Sequence, residues 1–486
     1  MIYRLRPYQE ECVKSISDYI NSDRHDPVLV IGPVGCGKSI LIAEAARLMG
    51  DKTLILQPSR ELLIQNYCKL TSYGIPATIY SASCGKKELS NMIYATLGSI
   101  KKVVGQLKEM GIRNVLIDEA HAGYSPEDGS EFMTFMNELK PRKVIGFTAT
   151  PCRLKNMSIG QTSYSQLNFI TRMRPVYFKN LIHVIQVEEM IRQGFWTPLK
   201  YETWDFNGDA LKLNSNGSEY TAESISEAVR KNGLNNLILR RLMVLKDICR
   251  SILVFMDSVE SCNTAAEWMN AKICAGMAEV VHGGTPKKQR EAIVERFKSG
   301  GTRVVFNYSA LGTGFDHPGL DCVIVGRPTF SFSSFYQWLG RAVRIKDGKD
   351  SALVVDCCNN SSRFGDIRKL SIENYKGYGW GMFIGDKLIT NIPMGDKVTK
   401  TDLDIKAAKK DRRRGLAQGV TAAPVPGRPD HPLGSTVMTF GKYCGWMLHS
   451  IPVSYFKFIN ETFDWSNGRN KEIKEYIDFL IKNNRL

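Results

Sequence analysis

The chain contains no apolar run long enough to cross a membrane. Such a span needs about 18 consecutive apolar residues, and none occurs among the 486 residues. The N-terminus, MIYRLRPYQEE, also lacks the charged, apolar and small-residue segments of a secretory signal peptide. We therefore expect a protein of the cytoplasm, or of the host cytoplasm if a phage encodes it, with no membrane partner.

The sequence also lacks the cysteine pattern of a disulfide framework or a zinc site. Its twelve cysteines are scattered, and one of them, Cys36, lies in a glycine-rich loop. No CxxC occurs, and Cys357 and Cys358 are adjacent, so they cannot supply the usual edge of a zinc tetrahedron. We expect reduced thiols and no structural zinc.

No low-complexity tract dominates, and 43% hydrophobic with 23% charged residues is typical of a folded globular protein. Because domains usually hold about 100 to 200 residues, the chain should contain several. Its net charge of +16 favours a polyanionic partner, since Lys and Arg gain affinity by releasing the counterions of phosphates. Many basic proteins bind no nucleic acid, however, so the motifs have to decide.

Short apolar runs rich in β-formers alternate with helical stretches twice along the chain. This rhythm is typical of a parallel α/β sheet, so it predicts two α/β domains. The first copy has runs at 28–31, 53–56, 115–118 and 144–147, and the second has runs at 251–255, 279–282, 303–307, 322–326 and 352–356.

We predict five regions from these patterns. Residues 1–160 and 236–365 are the two α/β domains. Residues 161–235 lack regular strand periodicity and are interpreted as crossover helices and a linker. Residues 366–434 form a basic, Gly/Pro-rich accessory segment and linker, and residues 435–486 form a small C-terminal domain.

A phosphate-binding loop follows the first apolar run. The segment from Gly32 to Ser39 reads GxxxxGK[ST], directly before a helix-compatible stretch. Its glycines let backbone N–H groups surround a phosphate, and the helix N-terminus adds a positive dipole end. We expect Lys38 to reach the β- and γ-phosphates and Ser39 to bind Mg²⁺. The predicted ATP contacts are Gly32, Gly35, Cys36, Gly37, Lys38 and Ser39.

Two carboxylates end the run at 115–118. Asp118 is its last residue and Glu119 follows it, at the kind of strand end where open α/β sheets bind ligands. We expect Asp118 to hold Mg²⁺ and Glu119 to accept a proton from the attacking water. Together with the phosphate loop, this pair predicts hydrolysis of a nucleoside triphosphate.

The sequence Asp118-Glu119-Ala120-His121, combined with the phosphate loop, resembles the DEAH box of superfamily 2 helicases. Further motifs of that family follow in order. The resemblance implies that Arg6 and Gln9 recognise adenine. It also implies that Thr148 and Thr150, in TATP, couple the ATP site to nucleic acid, with His121 as their partner.

Four more segments carry the resemblance: 57–62 and 96–99 in the first domain, and 310–316 and 337–344 in the second. The first two, and Thr313, imply contacts with the sugar–phosphate backbone. The last two imply that the second domain completes the ATP site. Arg341 and Arg344 are three apart on a predicted helix, so both should face the same way. The resemblance implies that they act as arginine fingers on the γ-phosphate. The implied nucleic-acid contacts are Pro58, Ser59, Arg60, Thr96, Gly98, Ser99 and Thr313; the nucleotide contacts are Gly314 and Asp316; and the catalytic residues are Gln337, Arg341 and Arg344.

The resemblance covers about residues 1–358 and is strongest to RadD-like repair helicases and UvsW-type phage branch-migration helicases, partly through RQGFWTP at 192–198. It implies two tandem RecA-like P-loop domains with parallel sheets between helices. It also implies a monomeric motor that uses ATP and Mg²⁺ on forked or branched DNA, without sequence preference, in replication, recombination or repair. The alternatives are an RNA helicase, or a DNA-dependent translocase that remodels complexes without separating strands. Unlike RadD, the chain has no cysteine-rich C-terminal module.

The C-terminal third leaves two interpretations open. The basic run at 406–415 is either a solvated linker or a nucleic-acid tether. Phe440, Tyr443 and Trp446 form either a small core, which their density favours, or a binding surface. The sequence FGKY-x-G followed by Ile451-Pro452 resembles an uncharacterised small domain of phage and bacterial proteins. Our hypothesis is that residues from about 366 onward add junction binding or strand separation to a motor that is complete without them.

Overall fold

A computed structural model of the chain describes residues 4–50, 52–159, 162–311, 315–407, 431–441, 443–463, 465, 470–483 and 486. The described chain divides into two compact units. The first extends to Tyr375 and includes Gly379–Thr399, and the second consists of Lys376–Tyr378 and the residues from Lys400 onward.

The first unit begins with an α/β lobe built on an eight-stranded sheet. The strand order is β10-β1-β7-β6-β2-β5-β3-β4, and every pair is parallel except β3 with β4. The strands are β1 Val28–Ile31, β2 Thr53–Leu56, β3 Thr78–Ser81, β4 Lys86–Lys87, β5 Met92–Ala95, β6 Asn114–Ile117, β7 Lys143–Thr148 and β10 Asn180–Val184, with a separate hairpin of β8 Cys152–Ile159 and β9 Thr162–Phe169. The helices are α1 Pro7–Asn21, α2 Lys38–Met49, α3 Arg60–Thr71, α4 Leu97–Ile100, α5 Val104–Glu109 and α6 Glu131–Leu139.

A second lobe in the same unit is built on a six-stranded parallel sheet with the order β11-β16-β15-β12-β14-β13. The strands are β11 Leu199–Thr203, β12 Ile252–Phe255, β13 Ala278–His282, β14 Val304–Tyr308, β15 Cys322–Val325 and β16 Ala352–Asp356. The helices from the connection onward are α7 Val187–Arg192, α8 Ala222–Lys231, α9 Leu234–Ile248, α10 Val259–Lys272, α11 Lys287–Ser299, α12 Phe332–Leu339 and α13 Asn360–Phe364. The prediction of two parallel α/β sheets is confirmed.

The central strands are buried along their whole length. Every residue of β1, β2, β12 and β15 is buried. Strands covered by helices on both faces have near-continuous hydrophobic sequences, so they were visible as apolar runs.

Residues 161–235 contain strands in addition to the predicted crossover helices and linker. β10 adds a parallel strand to the first sheet beside β1, and β11 is the outer strand of the second sheet beside β16. β9 pairs with β8 in an antiparallel hairpin of eight residue pairs. These strands were missed because outer strands are only partly buried: four of the five β10 residues are half-buried and the first is exposed.

The region after α13 is an antiparallel sheet that shares the main core. Its strands are β17 Leu370–Tyr375, β18 Gly379–Ile384, β19 Lys387–Leu388 and β20 Val398–Thr399. Leu370, Ile372, Met382 and Ile384 are buried in the same hydrophobic cluster as residues of both lobes. The expectation that the motor is complete without residues from 366 onward therefore needs correction, because that boundary cuts through a continuous core.

The second unit has its own core. It contains α14, which includes residues 400–407, α15 Val453–Thr462 and α16 Lys471–Lys482. Most of the predicted basic run at 406–415 lies outside the described residues. In the described part of the chain, no helix combines the length and hydropathy needed to cross a membrane. The core residues are Met438, Leu448, Ile451, Phe456, Ile459, Ile473, Tyr476, Ile477 and Leu480.

Candidate nucleotide site and nucleic-acid surface

A cavity of about 320 Å³ lies between the two lobes at the carboxyl end of β1. This is within the size range of pockets that bind small ligands. The phosphate loop and the acidic pair line it from the first lobe, and the segment around the two arginines lines it from the second. The predicted site residues that line this cavity are Arg6, Gly35, Gly37, Lys38, Ser39, Asp118, Glu119, Asp316, Gln337, Arg341 and Arg344.

The phosphate loop needs glycine where the predicted motif has it. Gly35 and Gly37 have φ angles of 81° and 83°, which L side chains rarely adopt. A Cβ on Gly37 would also lie 2.5 Å from Nε2 of Gln9. Gly37 caps α2 without any side-chain hydrogen bond, so the first N–H groups of α2 are left for an anion.

Three predicted nucleotide contacts lie behind the loop. Gly32, Cys36 and Gln9 are not among the residues that line the cavity. Burial raises the pKa of the Cys36 thiol to about 11, so it stays neutral. Gln9 is 2% exposed and donates through Nε2 to the Cys36 carbonyl at 2.8 Å, while its Oε1 accepts from the N–H of Arg6 at 2.9 Å. The structure thus uses Gln9 to hold the loop, and its contact with adenine stays a prediction.

An aromatic residue that the sequence analysis gave no role completes this corner. Phe195 lines the cavity, and the guanidinium of Arg6 lies over its ring at 4.5 Å from the centroid. Tyr8 contacts the same ring edge-on at 5.3 Å. Phe195 belongs to the RQGFWTP segment that supports the family resemblance. The sequence alone gave no reason to place this residue in the nucleotide site. The pair of Arg6 and Phe195 offers a flat surface suited to a purine.

The acidic pair is buried against the loop lysine. Nζ of Lys38 lies 3.1 Å from Oε1 of Glu119. Asp118 accepts hydrogen bonds from Nδ2 of Asn66 at 2.8 Å and from the N–H of Glu119 at 2.9 Å. Burial and the neighbouring Glu119 charge raise the pKa of Asp118 to about 7. Burial also opposes ionisation of Glu119, but the Lys38 ammonium outweighs it and lowers the pKa of Glu119.

Ser39 and Asp118 fit the ligand set of Mg²⁺. Both line the cavity and offer the hard oxygen ligands that this ion prefers. The raised pKa of Asp118 reflects two adjacent buried carboxylates that lack sufficient positive charge. Among the described residues, Oε2 of Glu119 makes no hydrogen bond. A divalent cation at Ser39 and Asp118 would supply the charge that this pair lacks.

His121 lies between the two threonines that the family resemblance pairs with it. Its Nδ1 lies 2.8 Å from the hydroxyl of Thr148, and its Nε2 lies 3.1 Å from the hydroxyl of Thr150. Burial lowers the pKa of His121 to about 4, so the imidazole is neutral. Nδ1 is also 3.4 Å from Oε2 of Glu119. A continuous row of polar contacts therefore runs from the acidic pair to the TATP segment.

The prediction that Arg341 and Arg344 lie on one helix is wrong, because α12 ends at Leu339. Both side chains nevertheless face the cavity. Nη1 of each donates to the carbonyl of Phe315, at 2.8 Å and 3.0 Å, and Arg344 also pairs with Asp316. Burial, with the nearby Arg344 charge, lowers the pKa of Arg341 to about 9. Thr313 and Gly314, from the same predicted motif, lie outside the described residues.

The arginine segment packs directly on the phosphate loop. A Cβ on Gly340 would lie 2.5 Å from Cγ2 of Val34, so glycine allows this approach. Nε1 of Trp196 donates to the Val34 carbonyl at 2.9 Å. The hydroxyl of Thr197 donates to the Arg344 carbonyl at 2.7 Å. Residues 195–197 thus contact both halves of the site. The sequence analysis missed this role.

The predicted nucleic-acid contacts of the first lobe lie at one edge of its sheet. They follow β2 and β5, which are adjacent parallel strands, so their carboxyl ends meet. Ser59 caps α3 by accepting from the N–H of Leu62 at 3.3 Å, and Thr96 donates to the hydroxyl of Ser99 at 3.1 Å. The structure therefore places Pro58, Ser59, Arg60, Thr96, Gly98 and Ser99 on neighbouring helix N-termini.

The second lobe has a polar cavity of about 330 Å³ at the carboxyl ends of β12, β14 and β15. Asn307, Arg327 and Gln337 line it, and Gln337 also lines the nucleotide cavity. Nδ2 of Asn307 and Nε of Arg327 are buried and have no hydrogen-bond partner among the described residues. The sequence analysis missed Asn307 and Arg327. Each is a polar residue near the end of a strand, and that pattern alone does not indicate a binding site.

Two protein-family models match the two lobes. Residues 2–153 match the model described as Type III restriction enzyme, res subunit, and residues 234–346 match the helicase conserved C-terminal domain. The chain therefore carries two RecA-like helicase domains, which are domains of ATP-hydrolysing enzymes.

Individual proteins give the same result. The chain is 23% identical to a putative ATP-dependent helicase IRC3 of Saccharomyces cerevisiae, over 74% of this chain and 52% of that protein. It is 25% identical to a 51.5 kDa protein of a Lactococcus phage, over 68% of this chain and 65% of that protein. The matches span between about half and two thirds of the length of these relatives.

Two solved structures share the fold. One is a fragment of a putative HsdR subunit of a type I restriction enzyme from Vibrio vulnificus, with a TM-score of 0.55 and 18% identity over 75% of this chain and 66% of that one. The other is an ATP-dependent Type ISP restriction-modification enzyme, LlaBIII, bound to DNA, with a TM-score of 0.53 and 15% identity over 87% of this chain and 31% of that one.

Proposed function

We propose that this chain is an ATP-dependent motor that couples ATP hydrolysis to movement on DNA, with forked or branched DNA as its substrate in replication, recombination or repair. One observation carries this proposal. Lys38 and Glu119 from the first lobe and Arg341 and Arg344 from the second line a single cavity. A site divided between two lobes can change its shape when a nucleotide binds, which is the basis of a motor.

Each side chain has a distinct task in this scheme. The open N-terminus of α2 and Lys38 hold the β- and γ-phosphates. Ser39 and Asp118 would hold Mg²⁺, which would supply further compensation of the phosphate charge. Glu119 accepts the proton of the attacking water, and its lowered pKa keeps it ionised for that purpose. Arg341 and Arg344 stabilise charge on the transferred phosphoryl group.

The arginines must exchange partners for this step. They donate to the Phe315 carbonyl, and Arg344 also pairs with Asp316. A bound γ-phosphate would compete for these donors from the opposite wall. We propose that this exchange reports ATP binding to the second lobe.

Two routes connect the cavity to the nucleic-acid surface in this proposal. In the first lobe, the contacts of His121 extend from Glu119 to Thr148 and Thr150. In the second lobe, Gln337 lines both the nucleotide cavity and the cavity of Arg327. Both routes consist of few residues. A structural change at the bound phosphate would therefore reach the nucleic-acid surface over a short distance.

The nucleic acid would lie along the carboxyl ends of both sheets. The helix N-termini after β2 and β5 offer backbone donors to phosphates, and Arg327 and Asn307 offer side-chain donors with unsatisfied N–H groups. Phosphate contacts carry no sequence information and release counterions. Binding should therefore be independent of sequence and weakened by salt.

DNA with forks or branches is favoured by the resemblance to RadD-like and UvsW-type helicases. A Lactococcus phage protein is among the relatives, and one structural relative was solved bound to DNA. The test is ATPase activity and strand displacement with no nucleic acid, single-stranded DNA, forked DNA, duplex DNA and single-stranded RNA, with Lys38→Ala as the inactive control. We expect forked and single-stranded DNA to stimulate most and the fork to be unwound.

The other outcomes identify the alternatives. Stimulation by RNA alone would make the chain an RNA helicase. Stimulation by duplex DNA without displacement would make it a translocase that remodels complexes. No stimulation by any nucleic acid would refute the motor.

A further inference from the structure

The C-terminal unit presents a row of four aromatic rings at its surface, which we call the aromatic row. Its rings follow the order Trp446, Tyr443, Tyr455, Phe458, with successive centroids 5.5 Å, 4.7 Å and 6.2 Å apart. The two ends of the row are open to solvent: Trp446 is 47% exposed and Phe458 is 58% exposed. Solvent therefore reaches large aromatic surfaces at both ends.

The row is built from two elements. Tyr455 and Phe458 are three residues apart on α15, so they lie on one side of that helix, while Phe456 and Ile459 are buried in the core. The other half comes from the turn before the helix. There the N–H of Trp446 donates to the Tyr443 carbonyl at 3.0 Å.

Two backbone features hold this turn against the helix. The N–H of Met438 donates to the Trp446 carbonyl at 2.8 Å, which anchors the turn on a core residue. Gly441 has a φ of 72°, and a Cβ there would lie 2.0 Å from the Tyr455 hydroxyl. Glycine is therefore required for Tyr455 to approach, and the row has a defined geometry rather than a chance one.

The core does not need the row. Its buried residues include none of the four, and although Tyr443 and Tyr455 pack against its edge, Trp446 and Phe458 do not. The expectation that Trp446 contributes to a small core is therefore wrong. Large aromatic side chains left in water gain nothing from the hydrophobic effect, and contiguous exposed apolar surface marks interaction sites.

Charge and ring chemistry indicate the occupant. Residues 400–486 contain fifteen Lys and Arg and nine Asp and Glu, a net charge of +6, and the exposed Lys457 directly precedes Phe458 in the chain. Aromatic rings next to positive charge are the combination that binds unpaired bases, because every base has a π-face and every nucleotide a phosphate.

We propose that the aromatic row binds single-stranded nucleic acid, with unpaired bases stacking on Trp446 and Phe458. The proposal rests on the proposed function in taking nucleic acid as the polymer that this protein meets. It adds a second binding site, on a unit separate from the motor lobes. Such a site would hold a displaced strand or the single-stranded arm of a fork.

The test compares the full-length protein with Trp446→Ala/Phe458→Ala, without ATP. The ligands are a labelled oligothymidylate and an abasic oligomer of equal length and charge. Stacking contributes about 1–3 kcal/mol per base, so we expect affinity for oligothymidylate to fall about 5-fold or more, with affinity for the abasic oligomer unchanged. Trp446→Phe should retain most of the binding. Ile405→Ala/Ile481→Ala is the matched control, since these aliphatic residues of the same unit are 48% and 44% exposed.

Photo-crosslinking of wild-type protein to 5-iodouracil oligomers provides an independent readout that needs no variant. We expect crosslinked peptides that contain Trp446 or Phe458. Unchanged oligothymidylate affinity in the double variant, equal losses on the abasic oligomer, or crosslinks confined to the two lobes would each overturn the proposal. Self-association of the wild type that the double variant abolishes would instead assign the row to a second copy of the chain. The proposed function fails separately, if no nucleic acid stimulates ATP hydrolysis while the crosslinks persist.

Discussion

The two lobes have the same parallel α/β architecture but differ in how a helix begins after a central strand. In the first lobe, α2 follows β1 and is capped by Gly37, which makes no side-chain hydrogen bond. In the second, α10 follows β12 and is capped by Ser258, whose hydroxyl accepts from the N–H of Ser261 at 3.0 Å. The first helix leaves its donors for a phosphate, whereas the second satisfies one with its own side chain. Both loops follow the carboxyl end of a strand, and the residue at the cap decides how many N–H groups the helix leaves free for an anion.

The largest effect on ATP turnover is expected from substitutions in the first lobe. Lys38→Ala and Glu119→Gln should each reduce ATP turnover by about 100-fold or more, because they remove a phosphate contact and the proton acceptor. Steady-state ATPase measures the loss, and circular dichroism should show an unchanged fold. Lys38→Ala should also lose nucleotide affinity, whereas Glu119→Gln should retain it. Near-normal turnover in Glu119→Gln would refute its role as the base.

Removing the contribution of the second lobe should separate hydrolysis from binding. Arg344→Ala should reduce hydrolysis by about 100-fold or more, since a finger acts on charge that develops in the transition state. Nucleotide affinity, measured with a fluorescent ATP analogue, should stay close to wild type, because the first lobe holds most phosphate contacts. A loss of affinity equal to that of Lys38→Ala would show that Arg344 is a binding residue instead.

The contact between the lobes can be changed without touching a charged group. Gly340→Ala adds a Cβ that would lie 2.5 Å from Val34, so the arginine segment must move away from the phosphate loop. We expect KM for ATP to rise about 10-fold, equivalent to about 1.4 kcal/mol. Adding Val34→Ala should bring the KM for ATP of the double variant back towards the wild-type value. The control is Gly283→Ala, where no atom lies within 4 Å of the added Cβ. An unaffected KM in Gly340→Ala would show that this packing does not position the arginines.

Arg327→Ala tests whether the polar cavity of the second lobe binds nucleic acid. Arg327→Ala should weaken DNA binding uniformly across sequences and make the slope of log affinity against log salt shallower by about 1, as loss of one phosphate contact predicts. Binding titrations at several salt concentrations measure this. Arg296→Ala, which removes a positive charge near the opposite end of the sheet where Arg296 pairs with Glu279, is the control. A similar slope change in both variants would indicate a general charge effect.

The smallest effect on the motor is expected from removing the second unit at its own boundary. A chain ending at Thr399 should keep DNA-stimulated ATPase within about 2-fold, because the first unit retains its core, while fork affinity falls with a shallower salt slope. A chain ending at Asn360 should instead be unstable, since it loses Ile372, Met382 and Ile384 from the main core. Thermal melts measure the stability of both truncations. Equal stability would contradict the claim that Ile372, Met382 and Ile384 are part of the main core.

The sequence by itself determined the central strands, the phosphate loop and the acidic pair. β1, β2 and β16 coincide with the predicted runs, because strands covered by helices on both faces are predominantly apolar. The loop and the carboxylates were visible because their chemistry depends on neighbours within a few residues. The partners of His121 could be named only because the family motifs paired them.

Only the tertiary structure decided the rest, because it depends on contacts between distant segments. β10 and β11 gain their strand partners from the two sheets and show little pattern of their own. Arg341 and Arg344 reach the cavity from a turn because Gly340 packs on a loop about 300 residues earlier in the chain. The exposure of Trp446 and Phe458 follows from which other side chains fill the small core, and aromatic content alone cannot distinguish a ring in a core from a ring on a surface.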